Sequence, residues 1–318
     1  MTTDAGSNAN TPTGGSASAA AIDTDSVARL PRVGHINFLN CLPVYWGLER
    51  TGALAAMDLV ADTPDRLSDA LVEGRLDMGP ISLVEYLRHA EDLLVLPDLA
   101  VGSDGPVMSV TLVSAGPLSE LDGKLVALGS TSRTSVSLAR LLLEERYGLQ
   151  PAYVTRPPDL RSMMRDADAA VLIGDVALRA TLREAEELGL QAHDLGAQWR
   201  EWTGLPMVFA VWAARRDWYE KDPEAVLALH RRFLESRDLA DRNVAEVAAE
   251  AARWEPFSAE ELERYFRTLD FRLGDRQLAG MTEFARRVAP FAGTDSHPVI
   301  RLLGLSGTGR GSDNPTGT

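Results

Sequence analysis

The chain has 318 residues, 45% of them apolar, and a formal net charge of −14. That length can hold two domains of ordinary size, and no run approaches the ~18 uninterrupted apolar residues that a membrane span needs. The negative charge argues against nucleic acid, which requires a basic face, so an anion site must be built from local backbone N–H groups, hydroxyls and a few arginines.

In chain order, residues 1–30 are Ser, Thr, Ala, Gly, Asn and Asp with few bulky apolar side chains, the composition of a disordered tail. They lack the basic start and apolar core of a secretory signal, which points to a cytoplasmic protein. Strands are expected at 32–36, 57–61, 78–81, 93–96, 107–113, 125–128, 152–154, 169–173 and 208–213. Helices are expected at 64–73, 83–89, 135–147, 160–166 and 176–185. Such alternation indicates α/β layers with largely parallel sheets. After about residue 217 the pattern turns helical, with Val226, Leu229, Phe233 and Leu234 on one face, and with further helices at 245–254, 259–268 and 276–288. The Gly/Ser/Thr-rich stretch 306–318 reads as a second disordered tail.

Several strand ends carry polar residues. The strand at 32–36 stops on Asn37 and Asn40, and Pro43 suits the first turn of a helix. Ligands in open α/β sheets collect outside strand carboxyl ends, and amides there can both donate and accept; the same residues also serve as turn caps. Ser130, Thr131, Ser132, Arg133, Thr134 and Ser135 open a helix after the strand at 125–128. Free N–H groups and hydroxyls at a helix start suit a carboxylate, and they equally suit a ligand-free N-cap. No Walker lysine or glycine spacing is present. Arg133 could pair with a carboxylate directly, but an arginine at a helix start more often faces solvent; Glu85 is expected on a solvated helix face. Ser82 and Asp175 precede helices and can cap them. Ser109 falls in an expected strand, where a cap is not needed and an inward hydroxyl can meet a ligand.

Other chemistry is sparse. Cys41 is the single cysteine, so no intrachain disulfide exists, and the bland reading is a small buried hydrophobe. His35, His89, His193, His230 and His297 lack metal-site spacing. Lys124 and Lys221 are the two lysines, which makes lysine chemistry improbable. No cofactor and no metal is expected.

The run Gly34-His35-Ile36-Asn37-Phe38-Leu39-Asn40-Cys41-Leu42-Pro43 resembles the opening motif of the chorismate dehydratases of the futalosine route to menaquinone. Four later segments resemble that family in the same order. They are Asp77-Met78-Gly79-Pro80-Ile81-Ser82-Leu83-Val84-Glu85-Tyr86, Gly129-Ser130-Thr131-Ser132-Arg133-Thr134-Ser135, Val171-Leu172-Ile173-Gly174-Asp175 and Trp202-Thr203-Gly204-Leu205-Pro206-Met207-Val208-Phe209-Ala210. The resemblance implies an α/β, two-lobed periplasmic-binding-protein-like type II fold with mixed sheets flanked by helices. One lobe would comprise 31–111 and 207–305 and the other 112–206, with the ligand cleft between them.

By the same resemblance Asn40 is the catalytic residue. Ser82, Ser109, Ser130, Thr131, Ser132, Thr134 and Asp175 bind substrate, and the substrate is chorismate. The implied reaction removes the C3 proton and C4 hydroxyl to give 3-enolpyruvylbenzoate. An amide is a very weak base, so Asn40 is expected to hydrogen-bond the C4 hydroxyl or a reacting carboxylate, and the proton acceptor stays open between a protein group and the substrate's own enolpyruvyl carboxylate. A monomer or homodimer acting without nucleic acid or membrane is expected. The runner-up is the 1,4-dihydroxy-6-naphthoate synthase of the same route, whose Ser-Pro-Cys-Pro-Asn-Asp opening differs from Phe38-Leu39-Asn40-Cys41-Leu42-Pro43. A third reading is a non-enzymatic cytosolic protein that binds small carboxylates.

Overall fold

A computed structural model describes residues 29–295 and 299–304. The expected tails, apart from Arg29 and Leu30, lie outside the described residues, as does His297.

Strands β1 (Arg32–Ile36), β2 (Asp58–Asp62), β3 (Met78–Ser82), β4 (Leu93–Ser103) and β10 (Met207–Arg215) form one sheet in the order β2-β1-β3-β10-β4. Strands β5 (Val110–Ser114), β6 (Leu125–Gly129), β7 (Ala152–Arg156), β8 (Ala169–Ile173) and β9 (Gln191–Asp194) form the other, in the order β7-β6-β8-β5-β9. In each sheet three parallel strands are followed by an antiparallel fourth and an edge strand. The chain thus leaves the first sheet after Ser103, enters the second at Val110 and returns at Met207.

The expected strands all form, 32–36 and 169–173 with the expected bounds and the others with shifted ends. β4 runs seven residues past the expected stop at Leu96, because β10 pairs along it from Leu93 to Ser103. Pro97 cannot donate to a ladder, and the register shifts at that point while Asp98 takes φ +56°. A bulge absorbs the proline. Helix α10 (Pro223–Arg242) satisfies the freed carbonyls: His230 Nε2 bonds Pro97 O at 2.8 Å, and Arg237 donates to Asp98 O. β5 starts three residues late because Met108 turns at φ +62°, and the Asp194 carboxylate accepts the Val107 and Met108 N–H groups at 2.9 and 2.6 Å. β9 is a strand the sequence reading lacks; it is short, polar and partly exposed, so it leaves no apolar signature.

Helices α1 (Leu42–Arg50), α2 (Pro64–Val72) and α3 (Leu83–Arg88) follow β1, β2 and β3. In the second sheet, α4 (Thr134–Leu141) follows β6, α5 (Leu160–Asp166) precedes β8 and α6 (Gly174–Arg179) follows it; α4 and α6 continue into π turns at Leu142–Arg146 and Ala180–Glu184. After the one-turn α7 (Ala185–Glu187), α8 (Leu195–Thr203) starts on an Asp194 cap and buries Trp199. The segments α9 (Arg216–Lys221), α10 (Pro223–Arg242), α11 (Val244–Ala251), α12 (Ala259–Phe266) and α13 (Asp275–Ala292) complete the helical part. Proline in the first turn and the Asp222 cap on Ala225 N–H start α10, and a Ser258–Glu261 capping box starts α12.

The main core runs from the first sheet through its helices into one face of the second and includes Trp199, Trp212, Phe233, Tyr265 and Phe284. The second sheet's other face has a smaller core of Val113, Leu160, Met163, Leu172 and several alanines. No helix among the described residues is long and apolar enough to cross a membrane.

Candidate functional site

The carboxyl ends of β1 and β3 in one sheet and of β8 in the other meet around a cavity of about 50 Å³. Its wall includes Asn40, Ser82, Ser109, Thr131 and Ser132 among polar groups, and Phe38 and Phe209 among apolar ones. That volume holds a few waters, whereas drug-sized ligands occupy sites of about 300–1,000 Å³. A ligand of that size therefore enters only if the walls separate. A larger groove of about 570 Å³ flanks the second sheet, but its cations are paired, Lys124 with Asp168 and Arg161 with Glu187. The small cavity gathers the polar groups with open valence.

Asn40 lies in the turn between β1 and α1, closed by Cys41 N–H to Phe38 O at 3.0 Å and Leu42 N–H to Leu39 O at 3.2 Å. Its Oδ1 is buried without a hydrogen-bond partner, a state that burial penalises by roughly 1–3 kcal/mol. Asn37, the other candidate amide, is exposed. Ser82 ends β3 and caps α3 through a long 3.4 Å bond from Glu85 N–H, so its hydroxyl proton stays available. Ser109 is not in a strand as expected: it sits in the strained turn before β5, 1% exposed, its N–H bonded to Val107 O at 2.7 Å. The Tyr265 phenol, fully buried on α12 and pushed up in pKa by desolvation, lies beside it. Tyr265 gave no sequence signal, because an aromatic on an amphipathic helix reads as core.

The hydroxyl loop divides. Thr131 and Ser132 face the cavity, and Ser132 Oγ also accepts Ser135 N–H at 3.1 Å. Ser130 is exposed and off the cavity wall. Thr134 is buried, its Oγ1 accepting Val84 N–H from α3 at 3.1 Å. Asp175 is not the cap of α6, a position that Ile173 takes. Its Oδ1 reaches across to accept Leu39 N–H at 3.0 Å, and it too is absent from the cavity wall. Desolvation pushes its pKa up to about 6, against the pull of the Leu39 N–H. The substrate-binding expectation for Ser130, Thr134 and Asp175 thus meets a different placement: one faces solvent and two bind backbone of the opposite element.

Arg133 does not face solvent. It lines the cavity and pairs with Asp69 at 2.8 Å and with Glu85 at 3.1 Å. Glu85 is correspondingly buried rather than on a solvated face. Asp65, which the sequence reading passed over, stands on the same wall with Oδ1 buried and unpartnered. Three carboxylates therefore surround one guanidinium, and a bound anion depends on hydroxyls and N–H groups more than on net positive charge. Cys41 is fully buried, with its thiol pushed far up by desolvation, which fits the structural reading. Among the described residues no group of His, Cys, Asp or Glu has the makings of a metal site.

The chain matches the family described as "Menaquinone biosynthesis" over residues 31–290. It is 33% identical over 243 residues to the chorismate dehydratase of Thermus thermophilus, covering 72% of this chain and 86% of that one. It is 27% identical over 161 residues to the 1,4-dihydroxy-6-naphthoate synthase of the same organism, covering 51% of this chain and 56% of the relative. Among solved structures, the periplasmic aliphatic sulphonate binding protein SsuA from Escherichia coli superposes with a TM-score of 0.61 at 19% identity, over 90% of this chain and 98% of that one. The fold is thus periplasmic-binding-protein-like, and the chain belongs to the menaquinone biosynthesis family, together with the chorismate dehydratases.

Proposed function

We propose that this protein dehydrates chorismate to 3-enolpyruvylbenzoate for menaquinone biosynthesis by the futalosine route, as a cytoplasmic enzyme that needs no metal or cofactor. The observation that carries the reading is the unpartnered Asn40 Oδ1 at a cavity whose wall also carries hydroxyls, phenyl rings, Arg133 and Asp65. Such a site can orient a small dianion and hydrogen-bond a departing hydroxyl. In this reading the lobes are 31–111 with 207–305, and 112–206, with the first crossing moved back to Val110, since Val110 and Thr111 already pair in the second sheet. The bonds from Arg133 to Asp69 and from Asp175 to Leu39 hold them together.

The Asn40 amide meets the C4 hydroxyl, while Ser82, Ser109, Thr131 and Ser132 hold the two substrate carboxylates. The enolpyruvyl carboxylate takes the C3 proton. The C3–H electron pair becomes the new C3–C4 π bond, the C4–O bond breaks, and hydroxide leaves with the transferred proton as water. Aromatisation supplies the driving force, so the protein's task is positioning and exclusion of bulk water. The test is incubation of purified protein with chorismate alone, with products followed by chromatography and mass spectrometry. Loss of one water to an aromatic product is expected; chorismate left intact by folded protein would overturn the reading and favour the synthase, to which this chain is also related.

A further inference from the structure

Asn40 and Ser109 on the cavity wall come from different parts of the chain, and one short turn contacts Ser109 and the two residues before Asn40. Ile173-Gly174-Asp175, at the junction of β8 and α6, has three contacts of this kind. Asp175 Oδ1 accepts Leu39 N–H at 3.0 Å, one residue before Asn40. Gly174 N–H donates to the carbonyl of Ser109 itself at 2.8 Å. The Phe38 ring lies against Gly174, where an added Cβ would come within 2.9 Å of Cδ2; φ there is +64°, a region that favours glycine.

We infer that Gly174 and Asp175 form a positioning seat, which holds the Asn40 turn and Ser109 in register across the two sheets so that the reacting geometry exists only while they are docked. The inference rests on the dehydratase reading for its kinetic consequence. Its geometry does not depend on that reading. Asp175 does not need to touch substrate for this role: a displacement of about 1 Å at a reacting group costs on the order of 100-fold in rate. A buried carboxylate is also costly to keep, and here desolvation raises its pKa. The ionisable groups near it are Cys41, Tyr265, Glu255 and Arg179. Arg179 alone of these opposes the rise, so the surroundings offer little reason for a carboxylate there other than the Leu39 bond.

The test uses the full chain with Asp175→Ala, Asp175→Asn and Gly174→Ala. It reads kcat and KM for chorismate, together with hydrogen exchange of the segment 36–42. Asp175→Ala is expected to lower kcat at least tenfold with KM changed less than threefold, and to speed exchange at Leu39. Asp175→Asn keeps an acceptor oxygen and is expected to recover both readouts to within threefold of wild type. Gly174→Ala should reproduce the alanine phenotype by pushing Phe38 away. Wild-type kcat and exchange in Asp175→Ala would overturn the proposal, as would a rise in KM alone, which would mean direct contact with substrate. If the alanine variant does not fold, a tenfold loss in Asp175→Asn overturns it and near-normal turnover with protected Leu39 supports it. If wild type leaves chorismate intact, the dehydratase reading fails by itself, and the exchange comparison still decides the seat.

Discussion

The two sheets repeat one strand pattern in different surroundings. The first is packed by α1 and by the long α10, and strands β3 and β5 alike are buried along their whole length. Edge strands β2, β7 and β9 are open to solvent in both sheets alike, but the second sheet's outer core is built on small residues such as Ala127, Ala170, Ala177 and Ala180. Burial of large side chains stabilises in proportion to the apolar area removed from water. The first sheet therefore carries the larger share of apolar burial, while the second shares that core on one face and is joined to the first by cross-bonds such as Arg133–Asp69, Arg183–Glu261, Arg287–Glu145 and Val84 N–H to Thr134 Oγ1. The cavity lies where they meet, so its geometry depends on those bonds as well as on each core.

The difference can be broken most severely from the first sheet. Trp212→Ala in β10 removes a fully buried ring and is expected to cost about 3–5 kcal/mol, against about 2–5 kcal/mol for the equally buried Leu172→Ala in β8, toward the lower end if its alanine-rich surroundings collapse into the space; urea unfolding compares the two directly. Equal losses would mean that the second sheet is as tightly packed as the first. At the cavity, Asn40→Ala should lower turnover about 100-fold, near 2.7 kcal/mol, with little change in KM. Thr131→Ala should instead raise KM about tenfold with turnover preserved. Single-turnover and steady-state kinetics separate these effects, and the reverse pattern would exchange the two roles.

A pH series sharpens the comparison further. Asp175 has a folded-state pKa raised to about 6 from 3.8. Below pH 4 it is protonated both folded and unfolded and contributes no difference. Between pH 4 and 6 the unfolded chain releases the proton first, so stability falls as pH rises, and above pH 6 the full penalty is present. Asp175→Asn is thus expected to be more stable than wild type by about 1–3 kcal/mol at pH 7.5, and equal to it near pH 4. Denaturant midpoints at the two pH values provide the check; a variant less stable at pH 7.5 would make the carboxylate a net stabiliser. The smallest effects belong to Cys41→Ala and Asp65→Asn, each expected to keep turnover within about threefold, since an unactivated buried thiol is inert and the proton acceptor is assigned to the substrate. A loss of 1,000-fold or more in Asp65→Asn would make that carboxylate the base.

Much of the architecture was legible because it is written locally. The β-branched run at 169–173 is a strand with the expected bounds, and Pro64 and Pro223 start helices as first-turn prolines do. The Asn40 turn was legible because polar residues cluster at a strand end. Arg133 and Glu85 were misread for one shared reason: each looks solvent-facing on its own element, and only their pairing across the sheets buries Glu85 and half-buries Arg133. The β4 extension past Pro97 was hidden because its pairing partner lies more than a hundred residues away. Asp175 was legible as polar and strand-terminal, but its acceptor role depends on a backbone N–H from residue 39.

The sequence by itself determined the alternation of strands and helices, the family motifs and the net negative charge, since these depend on periodicity, order and composition along the chain. Tertiary structure alone decided which hydroxyls of the 130–134 loop face the cavity, that Tyr265 stands beside Ser109, and that Gly174 and Asp175 seat the Asn40 turn. Those facts require residues distant in sequence to meet at bonding distance. No local pattern encodes such a meeting, because each partner alone satisfies ordinary turn and core preferences equally well.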